Sequence, residues 1–433
     1  MRILILGGYG LIGLGIARQL AARGHEVIGL GRSREKGERL YPAIRWIGVD
    51  LARMTRPDEW TAHLAGVDAV VNAAGALQDG ARDDLAAVQD QAIQSLIAAC
   101  EAAGTKRFIQ ISAPGAASGS STAFYRTKAA ADARLKASGP LDWLILRPGL
   151  VIAPAAYGGT ALLRLLAAVP LIQPLVHAER KIQTLALSDL TELVADAIEG
   201  KLAPGQDLDV AEDTPHSLAE VVAAFRRWLG FTPARRTVLL PGWCAGLVSR
   251  GADLLGHLGW RSPLRSTALT VMSEDVLADP APLEAATGRR LSSLEETLAG
   301  LPSTLQERWF ARMALMMPVV IAVLSLFWIA SGTIGFIRFA DAQRLLLEAG
   351  LPPLVSTLAV AGGAIADILL GLMILIRSRA RQAALGMILL SLAYLASASL
   401  VVPGLWLDPL GPLVKVLPSI PLALVAIALL EER

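Results

Sequence analysis

Two cysteines in 433 residues, Cys100 and Cys244, leave no material for a disulfide scaffold and point to a reducing compartment. Histidine is also scarce. His25, His63, His177, His216 and His257 stand apart, with no His-x-x-x-His and no paired Cys spacing, so no metal site is expected. Charge of one sign is missing as well: 40 Lys and Arg against 38 Asp and Glu leave a net +2. No basic stripe with interleaved aromatics runs through the chain, which argues against a nucleic-acid partner. The opening apolar run, Ile3 to Leu6, is too short for a signal peptide and breaks at once into glycines.

The last third lacks charge over long stretches. The chain is 54% apolar with a mean hydropathy of +0.50, and the excess lies beyond about Arg312, whereas the earlier residues read as soluble protein. A chain this long is expected to hold two or three domains.

The first of these is organised around Gly7-Gly8-Tyr9-Gly10-Leu11-Ile12-Gly13, which follows a short strand and opens a helical pattern. Glycines in such a place serve a tight turn, a close approach of backbone to pyrophosphate, and close packing of helix on sheet. The phosphates then meet N–H groups at a helix N-terminus, where the macrodipole favours negative charge. Gly7, Tyr9, Gly10, Leu11, Ile12 and Gly13 are therefore candidate cofactor contacts. Both G-x-G-x-x-G from Gly8 and G-x-x-G-x-x-G from Gly7 fit the turn taken alone.

Strands are predicted at Ile3–Leu6, His25–Leu30, Ile44–Val49, Asp68–Asn72, Lys106–Ile111 and Asp142–Leu146, with helices between them, among them Leu11–Arg23, Asp83–Ala103 and Thr122–Ala137. This alternation predicts an α/β domain of Rossmann type, a doubly wound parallel sheet, with ligands beyond the carboxyl ends of its strands. Gly7, Arg32, Asp50, Asn72, Ser112 and Arg147 all fall at such ends. After the second strand no Asp or Glu occurs before Glu35, while Arg32 and Arg34 suit a ribose 2′-phosphate, so NADP(H) is favoured over NAD(H). The plainer alternative is that Arg32 is a solvated loop residue.

GGYGLIG, Asp50-Leu51, VNAAG (Val71 to Gly75), Ser112, FYRTKAAAD (Phe124 to Asp132) and LRPGLVIAP (Leu146 to Pro154) follow one another as in short-chain dehydrogenase/reductases. The series over about residues 1–230 most resembles the extended and atypical members, which include NmrA-like regulators and the Rossmann-type accessory subunit of respiratory complex I. The resemblance favours the Gly7-Gly10-Gly13 spacing. It implies that Asp50 and Leu51 flank the adenine, that Ala73, Ala74 and Gly75 line the cofactor path, and that Pro148 and Gly149 lie near the nicotinamide.

Active members of that family place a Tyr four residues before a Lys, on one helix face, where the Lys binds the nicotinamide ribose and lowers the Tyr pKa. Aligned on Lys128, that position holds Phe124, which has no proton to transfer. Tyr125 is three residues before Lys128 and rotated by about 100° from the expected placement. The candidate catalytic residues are therefore Lys128 for the ribose, Tyr125 as an acid, and Ser112 to orient a carbonyl. The structural alternatives are an aromatic packing residue at Tyr125 and a common turn serine at Ser112.

Beyond Tyr157 the pattern loosens into a small α/β lobe. Ala161–Ala168, Leu190–Glu199 and Leu218–Leu229 read as helices, and Gln183–Asp189 as a segment returning to the sheet. Trp243, Leu247, Leu254, Leu255 and Leu258 are spaced along one helical face, to be buried either in the lobe or at a bilayer surface. Domain boundaries are expected at 1–230, 231–304 and 305–433.

Met313–Ile337 and Ala383–Val402 carry no charge, Leu354–Ile376 only Asp367, and Leu413–Leu430 only Lys415. Each is about long enough to cross ~30 Å of hydrocarbon, which predicts an all-α domain of four transmembrane helices. Arg308, Arg312, Arg377, Arg379 and Arg381 fall on one side. By the positive-inside tendency the nucleotide domain and both termini are cytoplasmic, in a multi-pass protein of the inner membrane. QERWFAR (Gln306 to Arg312), WIASG (Trp328 to Gly332), the run Gly362 to Leu372 and WLDPLGPLVK (Trp406 to Lys415) resemble a DoxX-like membrane domain, a family associated by name with quinone-linked redox proteins. Asp367 within a span reads either as a proton or quinone contact or as a hydrogen bond that fixes helix packing. Trp328 and Trp406 fit interfacial aromatic belts.

Two functions follow from different classes. One is a membrane-anchored NADP(H)-dependent reductase of a lipid-soluble substrate such as a quinone. The other is a non-catalytic nucleotide-binding scaffold or redox sensor of a membrane respiratory complex. The partners implied are the lipid bilayer, a nicotinamide dinucleotide, and either a quinone or a membrane protein complex.

Overall fold

The computed structural model describes residues 1–75, 84–260 and 275–431. Asp83, the expected start of one helix, lies outside these residues. The chain forms two compact units, Met1–Asp253 with Pro263–Arg308 and Leu254–Ser262 with Trp309–Arg433.

The first unit is built on strands β1 (Arg2–Leu6), β2 (Glu26–Gly31), β3 (Arg45–Gly48), β4 (Ala69–Asn72), β5 (Arg107–Ile111) and β6 (Asp142–Pro148), with a seventh strand, Gln206–Val210. The sheet order is β3-β2-β1-β4-β5-β6-seventh, and all six pairings are parallel. The alternating side chains of β1 show why the sheet is covered on both faces. Ile3 and Ile5 point into a core with Ile16, Leu20 and Val194. Leu4 and Leu6 point into another with Leu96, Cys100 and Leu135.

Helix α1 (Leu11–Ala22) turns Gly13, Ile16, Ala17 and Leu20 inward, a stripe at helical spacing. It ends at Gly24, whose φ of +83° closes the helix. The strand order reverses between β1 and β4, so a crevice opens there beyond the carboxyl ends.

One expectation for the lobe is corrected. The segment Gln183–Asp189 does not return to the main sheet: Thr184–Ala186 pairs with the short strand Leu150–Ile152, and Gln206–Val210 takes the outer place beside β6. Gly149 makes the change of course possible, since an added Cβ there would stand 2.5 Å from the Gln183 carbonyl oxygen.

Among the described residues, four helices are long and apolar enough to cross a membrane: Leu305–Ile337, Pro353–Met373, Ala380–Val401 and Pro412–Leu429. The fourth is interrupted at Pro418, between the helical pieces Pro412–Val416 and Ser419–Leu429. A short amphipathic helix, Phe339–Glu348, not expected from the sequence, precedes the second. The first two pack through small residues, as helices in lipid commonly do. A Cβ on Gly332 would overlap the Ala364 carbonyl, and one on Gly371 would stand 3.0 Å from that of Ser325.

Asp367 is 4% exposed and accepts hydrogen bonds from Ser331 Oγ at 2.7 Å and Tyr394 Oη at 2.8 Å. The acid thus ties three helices together. Trp328 departs from the interfacial expectation. It is 2% exposed and packs in the helix core with Leu324, Ala383 and Met387, because small residues on the third helix leave room for its ring.

Candidate functional site

The glycine turn follows from backbone geometry. Gly7 has φ +67°, and a Cβ there would meet the Ala73 carbonyl oxygen and Ala74 Cα at 2.8 Å. Gly10 N–H donates to the Gly7 carbonyl at 2.8 Å, and Gly10 caps α1 without any side-chain bond. A Cβ on Gly13 would overlap the Gly7 carbonyl. Gly7, Gly10 and Gly13 thus close the turn on itself, while Gly8 is confined from the neighbouring strand, where a Cβ would stand 3.0 Å from Gly29 Cα.

Leu14 N–H is the first to bond within the helix, to the Gly10 carbonyl, so helix geometry leaves the amides of Leu11, Ile12 and Gly13 without intrahelical acceptors. The result is a glycine-walled cradle at a positive helix end, and it suits a pyrophosphate. Tyr9 stands at the rim. Its Oη accepts from Ser33 N–H at 3.3 Å, and its ring lies where a Cβ on Gly31 would be.

At the end of β2, Arg32 is exposed. Arg34 is bound to Glu38 at 2.7 Å. Both line a hollow of about 840 Å³ with Arg45, Trp46 and Gly48. Asp50 is exposed and caps the turn Leu51–Arg53, its carboxylate accepting from Ala52 N–H at 3.3 Å, while Leu51 is buried.

Beyond β4, Ala73 N–H donates to the Leu6 carbonyl at 3.1 Å, so this segment runs beside the glycine turn. Asn72, fully buried, gives its amide N–H to Gln110 at 2.9 Å and accepts from Ala74 N–H at 3.0 Å. The pair fixes the course of Ala73, Ala74 and Gly75. Pro148 is buried at the end of β6, and Gly149 N–H bonds to the Val210 carbonyl at 2.9 Å.

The helix Ala123–Lys136 is started by Thr122, whose Oγ1 accepts from Tyr125 N–H. Its inner face holds Tyr125, Lys128, Ala131, Asp132 and Leu135. Lys128 is 6% exposed, and its Nζ donates to the Ile111 carbonyl at 2.6 Å. Burial pushes its pKa down to about 8 against the opposing pull of Asp132. A Cβ on Gly75 would lie 3.6 Å from Lys128 Nζ, so the candidate ribose ligand and the candidate cofactor path are adjacent.

Tyr125 is 6% exposed and meets Phe124 edge-on at 5.2 Å between centroids. Phe124 is the more open of the two. Ser112 Oγ donates to Asp132 at 2.5 Å, so its single proton is committed and an acceptor lone pair is what it can offer.

Behind Ser112 lies a network of which the sequence singled out Arg147, at a strand end, but not Asp132 or Asp207 as its partners. Asp132, 2% exposed, also receives Arg147 Nη2 at 3.3 Å, and Arg147 holds Asp207 in a two-point contact at 2.6 and 3.0 Å. Burial is the largest influence on Asp132 and pushes its carboxyl up, against Ser112 and Arg147. For Asp132 the available signal was its spacing, four residues after Lys128 on the same helix.

The glycine cradle, the seven parallel strands and the buried lysine at the crevice define a dinucleotide-binding domain of Rossmann type, joined to a bundle of apolar helices. Comparison with known proteins is more particular. Residues 7–163 match the NAD(P)H-binding family NAD_binding_10, and residues 325–424 match the DoxX-like family DoxX_3. The chain thus joins an NAD(P)-binding domain to a DoxX-like domain, as the sequence motifs led one to expect.

A 2-alkyl-3-oxoalkanoate reductase of Stenotrophomonas maltophilia is 35% identical over 117 residues, 26% of this chain. The match spans about a third (34%) of the length of that curated relative. Among solved structures, the Bordetella bronchiseptica enzyme WbmG in complex with NAD and UDP aligns with 19% identity and a TM-score of 0.55, covering 73% of this chain and 96% of that one. UDP-glucuronic acid 4-epimerase from Bacillus cereus aligns with 16% identity and a TM-score of 0.52, covering 72% and 100%. At these identities the likeness establishes the fold.

Proposed function

We propose that this protein is a membrane-anchored, NADP(H)-dependent reductase of a lipid-soluble carbonyl compound, a quinone being one such acceptor. The observation that carries the reading is Lys128, buried beside Gly75 at the strand ends of the cradle, in a chain whose other unit has four membrane-length helices. An enzyme tied to the bilayer meets a substrate that partitions there. The partial relative, by its printed name a reductase of an alkyl-bearing oxo acid, supports an apolar carbonyl substrate.

A bound dihydronicotinamide supplies hydride. Within the chain, the amides of Leu11 to Gly13 hold the pyrophosphate, Lys128 holds the nicotinamide ribose, and Asp50 and Leu51 border the adenine. Pro148 and Gly149 wall the nicotinamide end. With Ser112 engaged by Asp132, the proton for the reduced oxygen comes from Tyr125 or from solvent. The spans orient the nucleotide domain to the cytoplasm, where the cofactor is plentiful.

Full-length protein in detergent, given NADPH and a short-chain quinone, is expected to consume the nicotinamide absorbance, and Tyr125→Phe to slow turnover at least about 10-fold, within the usual reach of general acid catalysis. Tight binding with no turnover by the wild type would overturn the reductase. Phe124 at the acid position favours the second reading, a nucleotide-binding scaffold or redox sensor of a respiratory complex, and that outcome would establish the binding half of it.

For cofactor choice, Arg32 stands at the end of β2 in a hollow shared with Arg34 and Arg45, where clustered cations suit a 2′-phosphate. Arg32→Ala is expected to weaken NADPH about 10-fold, near 1.4 kcal/mol, and to leave NADH within twofold, as read by titration of nicotinamide fluorescence. Equal losses for both would remove the preference for NADP(H).

A further inference from the structure

We propose that the helix Gly242–His257 lies in the plane of the bilayer surface, with Trp243, Leu247 and Leu254 sunk into the boundary between headgroups and acyl chains. This does not depend on whether the nucleotide domain turns over substrate.

The sequence left open whether this apolar face is buried in the lobe. Trp243, Leu247 and Leu254 are 68%, 59% and 67% exposed. At 3.6 residues per turn they fall within about 40° of arc. The helix buries the opposite side instead, through the small residues Ser249 and Ala252. Leu239 and Leu240, just before the helix, extend the exposed apolar surface. A contiguous apolar patch of this kind marks an interaction site.

The occupant follows from where the helix ends. Its last turn enters the unit that contains the four spans. There the Leu258 carbonyl accepts from Arg377 N–H at 2.9 Å, and Trp260 Nε1 donates to the Leu375 carbonyl at 2.6 Å. The Arg377 guanidinium lies 5.7 Å from the centre of the Trp260 ring. Leu375 and Arg377 come directly after the second span, Pro353–Met373, where the apolar run gives way to Arg377, Arg379 and Arg381. The end of the helix is therefore pinned at the depth where hydrocarbon meets headgroup. Arg235, Arg236 and Arg250, all exposed, place positive charge along the same stretch, as in amphipathic helices that lie on anionic lipid.

The test uses full-length protein reconstituted in vesicles of phosphatidylcholine with anionic phosphatidylglycerol. In a Cys100→Ser, Cys244→Ser background, a bimane label is placed at Leu247→Cys, at Trp243→Cys, and at Ala103→Cys, an exposed residue at the end of the helix Ala92–Ala103. Brominated lipid is expected to quench the label at 247 and at 243 several-fold more than at 103, and aqueous iodide to show the reverse order. Strong iodide quenching at 243 and 247 would overturn the proposal. So would shielding from both quenchers together with energy transfer between labelled copies, which would mean that a second copy of the chain covers the face.

Discussion

Gly13→Ala is expected to lower dinucleotide affinity at least about 100-fold, near 2.7 kcal/mol, while the protein stays folded. The added methyl would overlap the Gly7 carbonyl and stand 3.1 Å from Gly8 Cα, both of them backbone atoms that no rotamer change can clear. Either α1 moves away from the end of β1 or the turn from Gly7 to Gly10 opens. In both cases the amides of Leu11, Ile12 and Gly13 lose their common aim, and the helix end no longer converges on one anion. Gly24→Ala is the control. It sits at φ +83° with no atom within 4 Å of the added Cβ, so it costs about 1 kcal/mol of backbone strain far from the cradle and should leave affinity unchanged. Titration of NADPH fluorescence in detergent compares the two. Affinity within threefold of wild type in a folded Gly13→Ala protein would remove the cradle from the site.

The first six strands were legible because they are short apolar runs, several of them ending at a residue with a distinct backbone or side-chain role: Gly7 after β1, Asn72 at the end of β4, Ser112 after β5. The seventh, Gln206–Val210, was not. Its sequence, QDLDV, buries only Leu208 and Val210, and at the sheet edge its polar alternation looks like a loop. The glycine spacing was ambiguous in the turn taken alone and was favoured as Gly7-Gly10-Gly13 by the motif series; Gly7's positive φ and its approach to Ala73, just beyond β4, supply the physical reason.

The site was legible in part. Lys128, Gly75 and Ser112 could be named from motif order, but not the hydrogen bond that commits the Ser112 proton. That bond depends on Asp132 and Arg147, 20 and 15 residues apart in chain from their partners and carried on a helix and a strand. Trp328 shows the same limit in the membrane unit. An aromatic near the end of an apolar run reads as interfacial, and only the small residues opposite it on another helix reveal a buried slot.

Lys128→Met is expected to change the pH dependence of stability as well as cofactor affinity. Burial takes the lysine from its ordinary 10.5 to about 8 in the fold, so between these values the unfolded chain holds a proton that the folded one lacks. Stability then rises with pH across that window and is lowest below about pH 8, where the fold must bury the charge. The gap corresponds to roughly 3 kcal/mol. Methionine removes it but leaves the Ile111 carbonyl without its donor, a cost of about 1–3 kcal/mol at every pH. The diagnostic quantity is therefore the difference between wild type and variant as pH rises. It should stay flat below pH 8, move in favour of the wild type between 8 and 10.5, and level off beyond. Cys100, whose thiol burial pushes up to about 12, works against stability above pH 9, but it is common to both proteins and cancels. Hydrogen exchange of β5 amides in full-length protein in detergent reads this difference within the nucleotide unit. In the same samples, the wild type should bind NADPH more weakly as pH passes 8 and Lys128 loses its charge, whereas the variant binds weakly throughout. A difference that does not vary with pH would mean that Lys128 keeps its ordinary pKa in the fold, and NADPH binding by the wild type should then hold its strength past pH 8.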